Sequence, residues 1–339
     1  MEKSRTAVNY AQRPRIGVLL TNLGTPDAPD KAAVKRYLKE FLSDPRVVDL
    51  SRWQWVPILN GIILNTRPAK SAAAYATVWT EQGSPLMIHT QAQTNALSHI
   101  MSERHGDDVV VDFAMRYGNP SMASVVEKML DAGVEKLLVL PLFPQYSGAT
   151  VGSTSDALND CLESRRSMPN LRFISGYHDN EDYIAALALS IKRYQAEHGV
   201  PKKLVFSYHG VPQRYCDEGE PYEQQCHRTT QLVVDLLGLT EDSYMTVFQS
   251  RFGREEWLRP YADETLADLP SQGVDSVQVI CPGFSSDCLE TIEEMGEENR
   301  EVFIDNGGTS YGFIPCLNSG QDHVAALAHL IEDQLAGWL

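Results

Sequence analysis

The segment Ser207-Tyr208-His209-Gly210-Val211-Pro212 follows an apolar run, Lys203-Leu204-Val205-Phe206, that reads as a buried parallel strand. A histidine at the exit of such a strand stands where α/β proteins place their chemistry. Gly210 and Pro212 turn the chain sharply and leave the imidazole room for a ligand. A largely neutral imidazole accepts a proton or binds a borderline metal. A second strand exit, Val279-Ile280-Cys281-Pro282-Gly283-Phe284, leads into an acid-rich helix. From Asp287 to Glu301 that helix carries seven carboxylates, among them Glu290, Glu294 and Glu298 at i, i+4, i+8 on one face. Asp287 and Glu290 suit the positive N-terminal dipole. The later acids do not, and like charges at i+4 cost roughly 0.2–0.5 kcal/mol each. Two readings stand: a solvated helix, or a conduit for a hard cation or for protons. One neutral base and one row of carboxylates suggest metal handling and proton removal.

Polar groups also mark other strand ends, at Arg116-Tyr117-Gly118-Asn119-Pro120, at Pro141-Leu142-Phe143-Pro144-Gln145-Tyr146-Ser147 and at Thr21-Asn22-Leu23-Gly24-Thr25-Pro26. The last of these turns is not G-x-G-x-x-G, which weakens a dinucleotide reading. A Walker A lysine, H-E-x-x-H and G-x-S-x-G are all missing, so the common alternative chemistries lack their parts.

The elements that must position these groups follow from hydrophobic pattern. Short Val/Ile/Leu/Phe runs near 15–22, 109–115, 136–142 and 171–175 alternate with helical pattern. The same holds near 203–208, 244–249, 276–281 and 311–315. Gly133-Val134 and Gly273-Val274, opening similar strands, lie 140 residues apart. Asp182-Tyr183-Ile184-Ala185-Ala186-Leu187-Ala188 and Asp322-His323-Val324-Ala325-Ala326-Leu327-Ala328 share that offset. A fixed offset argues for internal duplication. The expected fold is α/β, with two similar doubly wound domains, each on a parallel four-stranded sheet, and a ligand cleft between them. The expected divisions are 1–178, 179–320 and a terminal helix, 321–339, packing back on the first domain.

The first half carries an insertion, about 42–100, because its first two strands start about 94 residues apart against about 41 in the second half. The apolar stretch Val47 to Leu64 contains Trp53 and Trp55 and reads either as a helical pair packed on the core or as an exposed lip. Arg67 and Lys70 beside it suit an amphiphile bearing carboxylates.

The chain has 339 residues, 43% of them hydrophobic, and a net charge of −16. That sign argues against a nucleic-acid partner and against a purely electrostatic hold on anionic lipid. The polar stretch Met1 to Arg15 lacks an apolar core, and six cysteines without C-x-x-C spacing read as reduced thiols. The expected location is cytoplasmic.

With these residues the chain resembles the ferrochelatase family, whose members insert ferrous iron into a porphyrin. The resemblance runs from Val18-Leu19-Leu20-Thr21-Asn22-Leu23-Gly24 to the last helix. It is strongest at Ser207 to Pro212, at Gly219-Glu220-Pro221-Tyr222, and at Pro282-Gly283-Phe284-Ser285-Ser286-Asp287 with Glu290. It implies that His209 takes the pyrrole protons and Glu290 faces it across the ring. It implies that Glu294 and Glu298 continue an acidic file on a helix widened to π geometry, with His209 and all three glutamates as the metal set. Arg116 and Tyr117 then line the opposite face, Leu23 lies beside the ring, and Tyr222 and Trp257 form the wall. Arg67, Lys70, Tyr75 and Ser84 lie near the propionates and the pocket mouth. The implied partners are protoporphyrin IX and ferrous iron, with peripheral membrane contact through the lip. Some members have a histidine at the position of Cys288. No cysteine follows Cys316, so the C-terminal [2Fe–2S] cluster of some members is not expected, and no cofactor is required. The alternatives are a chelatase for another tetrapyrrole or metal, such as coproporphyrin iron or cobalt, and a non-catalytic haem or metal carrier.

Overall fold

The computed structural model describes residues 15–253 and 255–339. The polar N-terminal segment read for a signal lies, apart from Arg15, outside the described residues. The chain forms strands β1 (Arg15–Thr25), β2 (Val109–Gly118), β3 (Val134–Pro141), β4 (Asn170–Phe173), β5 (Lys203–His209), β6 (Tyr244–Gln249), β7 (Ser276–Ile280) and β8 (Ser310–Ile314). They make two parallel sheets, ordered β2-β1-β3-β4 and β6-β5-β7-β8. One order written twice is the topological form of the duplication seen in the 140-residue offset. Central strands with helices on both faces must be apolar throughout, and Val18, Leu19 and Leu20 of β1 and Val205 and Phe206 of β5 are fully buried.

The largest core cluster runs through both halves, joining Val18, Leu20 and Leu138 to Phe206, Tyr208 and Ile280. Polar ties cross as well: Gln145 Nε2 donates to Thr229 Oγ1 at 2.9 Å, and the Gly148 amide donates to Glu220 Oε2 at 2.9 Å. The terminal helix Gln321–Leu335 packs on the helices Glu181–His198 and Pro85–His105. Beyond it, Lys136 Nζ donates to the Trp338 carbonyl at 2.6 Å and the Arg172 guanidinium lies 4.2 Å over the Trp338 ring.

The insertion folds as helices Arg52–Ile58, Leu64–Val78 and Pro85–His105, with a π-turn at Leu59–Ile63. The two readings of its tryptophans divide by residue. Residues two apart on a helix face opposite ways. Trp55 is buried and its indole N–H donates to the Leu42 carbonyl at 2.6 Å, while Trp53 is 77% exposed with Ile62 at 58%.

Candidate active site

His209 is the last residue of β5. Its Nδ1 lies 2.7 Å from the Gly210 carbonyl. A carbonyl only accepts, so Nδ1 carries a proton, and in the neutral ring the lone pair then lies on Nε2. The turn beyond is clamped: the Gly210 amide donates to the Gln249 carbonyl at 2.7 Å, and Tyr222 donates its phenol to the His209 carbonyl at 2.9 Å. A Cβ at Gly210 would stand 2.9 Å from that Gln249 oxygen and 3.2 Å from the Trp257 ring. Glycine alone lets the turn approach β6 so closely. Pro212 pairs with Trp257, whose indole N–H donates to the Phe252 carbonyl at 2.8 Å. Phe252 in turn lies 4.9 Å under the Arg67 guanidinium. Arg67 and Lys70 are exposed on the helix Leu64–Val78.

The acidic helix is a π-helix from Glu290 to Glu298. Glu290 and Glu294 are half-buried and Glu298 is exposed, so the file runs from interior to surface. Burial raises the Glu294 carboxyl above its ordinary range; hydrogen bonds from Ser250 and Gln249 and the nearby His209 work against that rise. Glu290 faces the buried pair Tyr37 and Tyr75. Burial, reinforced by the Glu290 charge, pushes both phenols up, so they stay neutral. Burial likewise pushes up the Cys288 thiol, which is no base at neutral pH. Asp287 does not belong to the file. It is buried, accepting from Asn318 Nδ2 at 2.6 Å and from Thr291 Oγ1 at 3.1 Å, and so anchors the start of the helix.

The wider i→i+5 turn brings together Glu293 and Glu298, a pair that α-helical spacing does not suggest. Burial, three neighbouring glutamates and a hydrogen bond shared with Glu298 push Glu293 from 4.5 up to about 7. A carboxyl raised in the folded state contributes stability that is present below its unfolded value and lost as pH rises through about 7. Glu293→Gln is therefore expected to melt above wild type at pH 8, with the gap shrinking toward pH 5. Calorimetry at the two pH values checks this, and a pH-independent gap contradicts it.

On the opposite side, Gly24 has φ +113°, and a Cβ there would stand 1.8 Å from the Tyr117 carbonyl, so only glycine allows β1 and β2 to run this close. Leu23 is half-buried and packs on a cluster holding Tyr37, Trp55, Tyr75 and Tyr117, which Leu289 joins from the other half. Tyr117 is fully buried, so it backs this wall instead of facing solvent. Its phenol donates to Asp44 Oδ2 at 2.8 Å, and the same oxygen takes Arg116 Nη2 at 2.5 Å and Ser153 Oγ at 2.6 Å. Ser84, expected near the mouth, is buried, and its hydroxyl caps the helix Pro85–His105 through the Met87 amide at 3.3 Å.

Among the described residues, no three or more His, Cys, Asp or Glu side chains converge into a set able to hold a metal ion. His209 at the end of β5 and Glu290, Glu294 and Glu298 along the π-helix are not drawn together into such a set. Sequence reasoning missed Asp44, Gln249, Ser250 and Glu293. The signal for Gln249-Ser250 was there, since the pair stands at the exit of β6 as His209 does at β5.

The ferrochelatase family pattern matches residues 15–335. A ferrochelatase of Pseudoalteromonas atlantica is 59% identical over 99% of this chain and 93% of its own length. One of Idiomarina loihiensis is 57% identical over 97% of this chain and 91% of its own. Among solved structures, SirB from Bacillus subtilis with Fe3+ matches with a TM-score of 0.54 over 95% of this chain and 96% of its own, at 12% identity, a likeness of fold. The chain belongs to the ferrochelatase family.

Proposed function

We propose that His209 Nε2 takes the pyrrole protons of protoporphyrin IX and that the Glu290/Glu294/Glu298 file carries protons or incoming ferrous iron between the cleft and solvent. The family membership makes the protein a ferrochelatase, a lyase of haem biosynthesis, with ferrous iron as its substrate. The observation that carries the reading is His209 at the exit of β5, its Nδ1 committed to the Gly210 carbonyl, beside carboxylates that grade from half-buried Glu294 to exposed Glu298. Insertion requires two N–H protons to leave the macrocycle and a hydrated ion to shed water. A neutral imidazole accepts the protons, while carboxylates attract the cation. A planar porphyrin hides its nitrogens, so binding energy spent on bending the ring lowers the barrier. Leu23 supports one face of the ring, Trp257 and Tyr222 form the wall around His209, and Arg67 and Lys70 meet the propionates at the rim.

The lip supports a two-propionate, weakly polar substrate drawn from a bilayer surface. Leu50, Trp53, Val56, Ile58 and Ile62 are exposed together, and among the described residues no helix is long and apolar enough to cross a membrane. With a net charge of −16, the contact is apolar. The test supplies Fe²⁺ anaerobically with protoporphyrin in phosphatidylcholine vesicles, and with protoporphyrin or coproporphyrin in detergent. The reading predicts higher kcat/KM for protoporphyrin. It also predicts that Trp53→Ser raises KM about tenfold for vesicle-borne substrate only, the loss of one large exposed side chain's burial in the bilayer. Preference for coproporphyrin sinks the substrate assignment, and equal KM changes in vesicles and detergent sink the membrane contact.

A further inference from the structure

We propose that Gln249 is a positioning residue whose single amide sets the separation between the His209 turn and the carboxylates of the π-helix. The proposal rests on the reading of His209 and Glu294 given above. Gln249 ends β6, is 3% exposed and stands directly opposite His209 in the β5–β6 register. Its backbone carbonyl accepts the Gly210 amide at 2.7 Å. Its side chain reaches the other way: Nε2 donates to the Glu290 carbonyl at 2.8 Å and to Glu294 Oε2 at 3.3 Å, while Oε1 accepts from Ser207 Oγ at 2.8 Å. The amide orientation follows from chemistry, because a carbonyl and a carboxylate both require a donor. Ser207, two residues before His209 on β5, holds the oxygen end.

One buried group thus touches the strand that carries the base, the turn beyond it, and the backbone and side chain of two file carboxylates. The neighbouring Ser250, at φ +64°, adds a hydroxyl bond to Glu294 Oε2. Among unbranched side chains of this length, glutamine alone offers a donor and an acceptor from one planar unit: an ionised glutamate offers acceptors and no donor, and methionine only a weak sulfur acceptor. In a dry site such bonds fix geometry tightly, and an ångström of misplacement in a reacting constellation can cost about a hundredfold in rate.

The test compares Gln249→Glu, which keeps length and the acceptor toward Ser207 but removes the donor, with Ser207→Ala, which frees the amide while leaving its donor. Steady-state kcat and porphyrin KM are measured with Fe²⁺ and protoporphyrin, beside His209→Ala, with circular dichroism to verify folding. The expected result is a kcat lowered about tenfold to a hundredfold in Gln249→Glu, a smaller fall in Ser207→Ala, and porphyrin KM within about twofold of wild type in both. Wild-type kcat in folded Gln249→Glu overturns the proposal, as does a rise in porphyrin KM matching the fall in kcat. If Gln249→Glu does not fold, Ser207→Ala decides, and an unchanged kcat there overturns it. Full activity in His209→Ala would instead overturn the underlying reading of the base.

Discussion

Replacing His209 with alanine is expected to slow insertion of ferrous iron into protoporphyrin by about 10²–10⁴-fold while porphyrin still binds. The imidazole is fixed by its own turn: Nδ1 is committed to the Gly210 carbonyl at 2.7 Å, and the backbone behind it is held by Tyr222 and Gln249. Alanine keeps those backbone bonds and deletes only the imidazole, so on the proposed role the loss should fall on kcat. Quenching of porphyrin fluorescence measures binding, and the Soret shift under anaerobic conditions measures insertion. Near-wild-type insertion by the variant would remove His209 from the mechanism.

The second large effect is on stability. Asp44→Ala is expected to cost about 3–5 kcal/mol, the size of breaking a buried ion pair by removing one partner. The Asp44 side chain is 6% exposed and the Arg116 side chain 19%, so the carboxylate is shielded from water and the guanidinium mostly so. Burial alone would raise this carboxyl. Ser153, the Arg46 amide, Tyr117 and the Arg116 charge together bring it below its ordinary value instead. Its contribution is therefore present above the ordinary aspartate range and lost as pH falls through the lowered value. Asp44→Asn, which keeps an acceptor for the phenol and hydroxyl, should cost less than alanine. Denaturant titration at pH 7 and pH 4 checks both variants. A cost below about 1 kcal/mol for Asp44→Ala at pH 7, the range of exposed pairs, contradicts the buried-hub account.

The strands were legible because a sheet covered on both faces demands short, continuous apolar runs, and those at 203–208 and 244–249 fall within a residue of β5 and β6. The duplication was legible for the same reason: two halves bury equivalent strands, so they keep the same pattern at the same offset. His209 could be singled out because a strand exit is a local feature. Asp44 could not, because its partners Arg116, Tyr117 and Ser153 lie 72, 73 and 109 residues away, and nothing near Asp44 in the chain announces a hub. Gln249 is similar: an amide gains meaning only from what surrounds it in space. The Glu293–Glu298 pair escaped for a different reason. An i+5 spacing joins side chains only on a π-helix, and α-helical reasoning places Glu290, Glu294 and Glu298 in line and leaves Glu293 aside. The lip was ambiguous in sequence because both answers hold, with Trp55 turned inward and Trp53 outward.

The most direct test of the central claim is a crystal structure of the protein with protoporphyrin bound. The account predicts the macrocycle in the cleft between the halves, with His209 Nε2 over one face within hydrogen-bond reach of a pyrrole nitrogen. Leu23 should lie against the ring and the propionates should point to Arg67 and Lys70. A ring seated away from the β5 exit, such as in the groove lined by Arg193, Tyr194 and His323, with His209 out of reach, would contradict it.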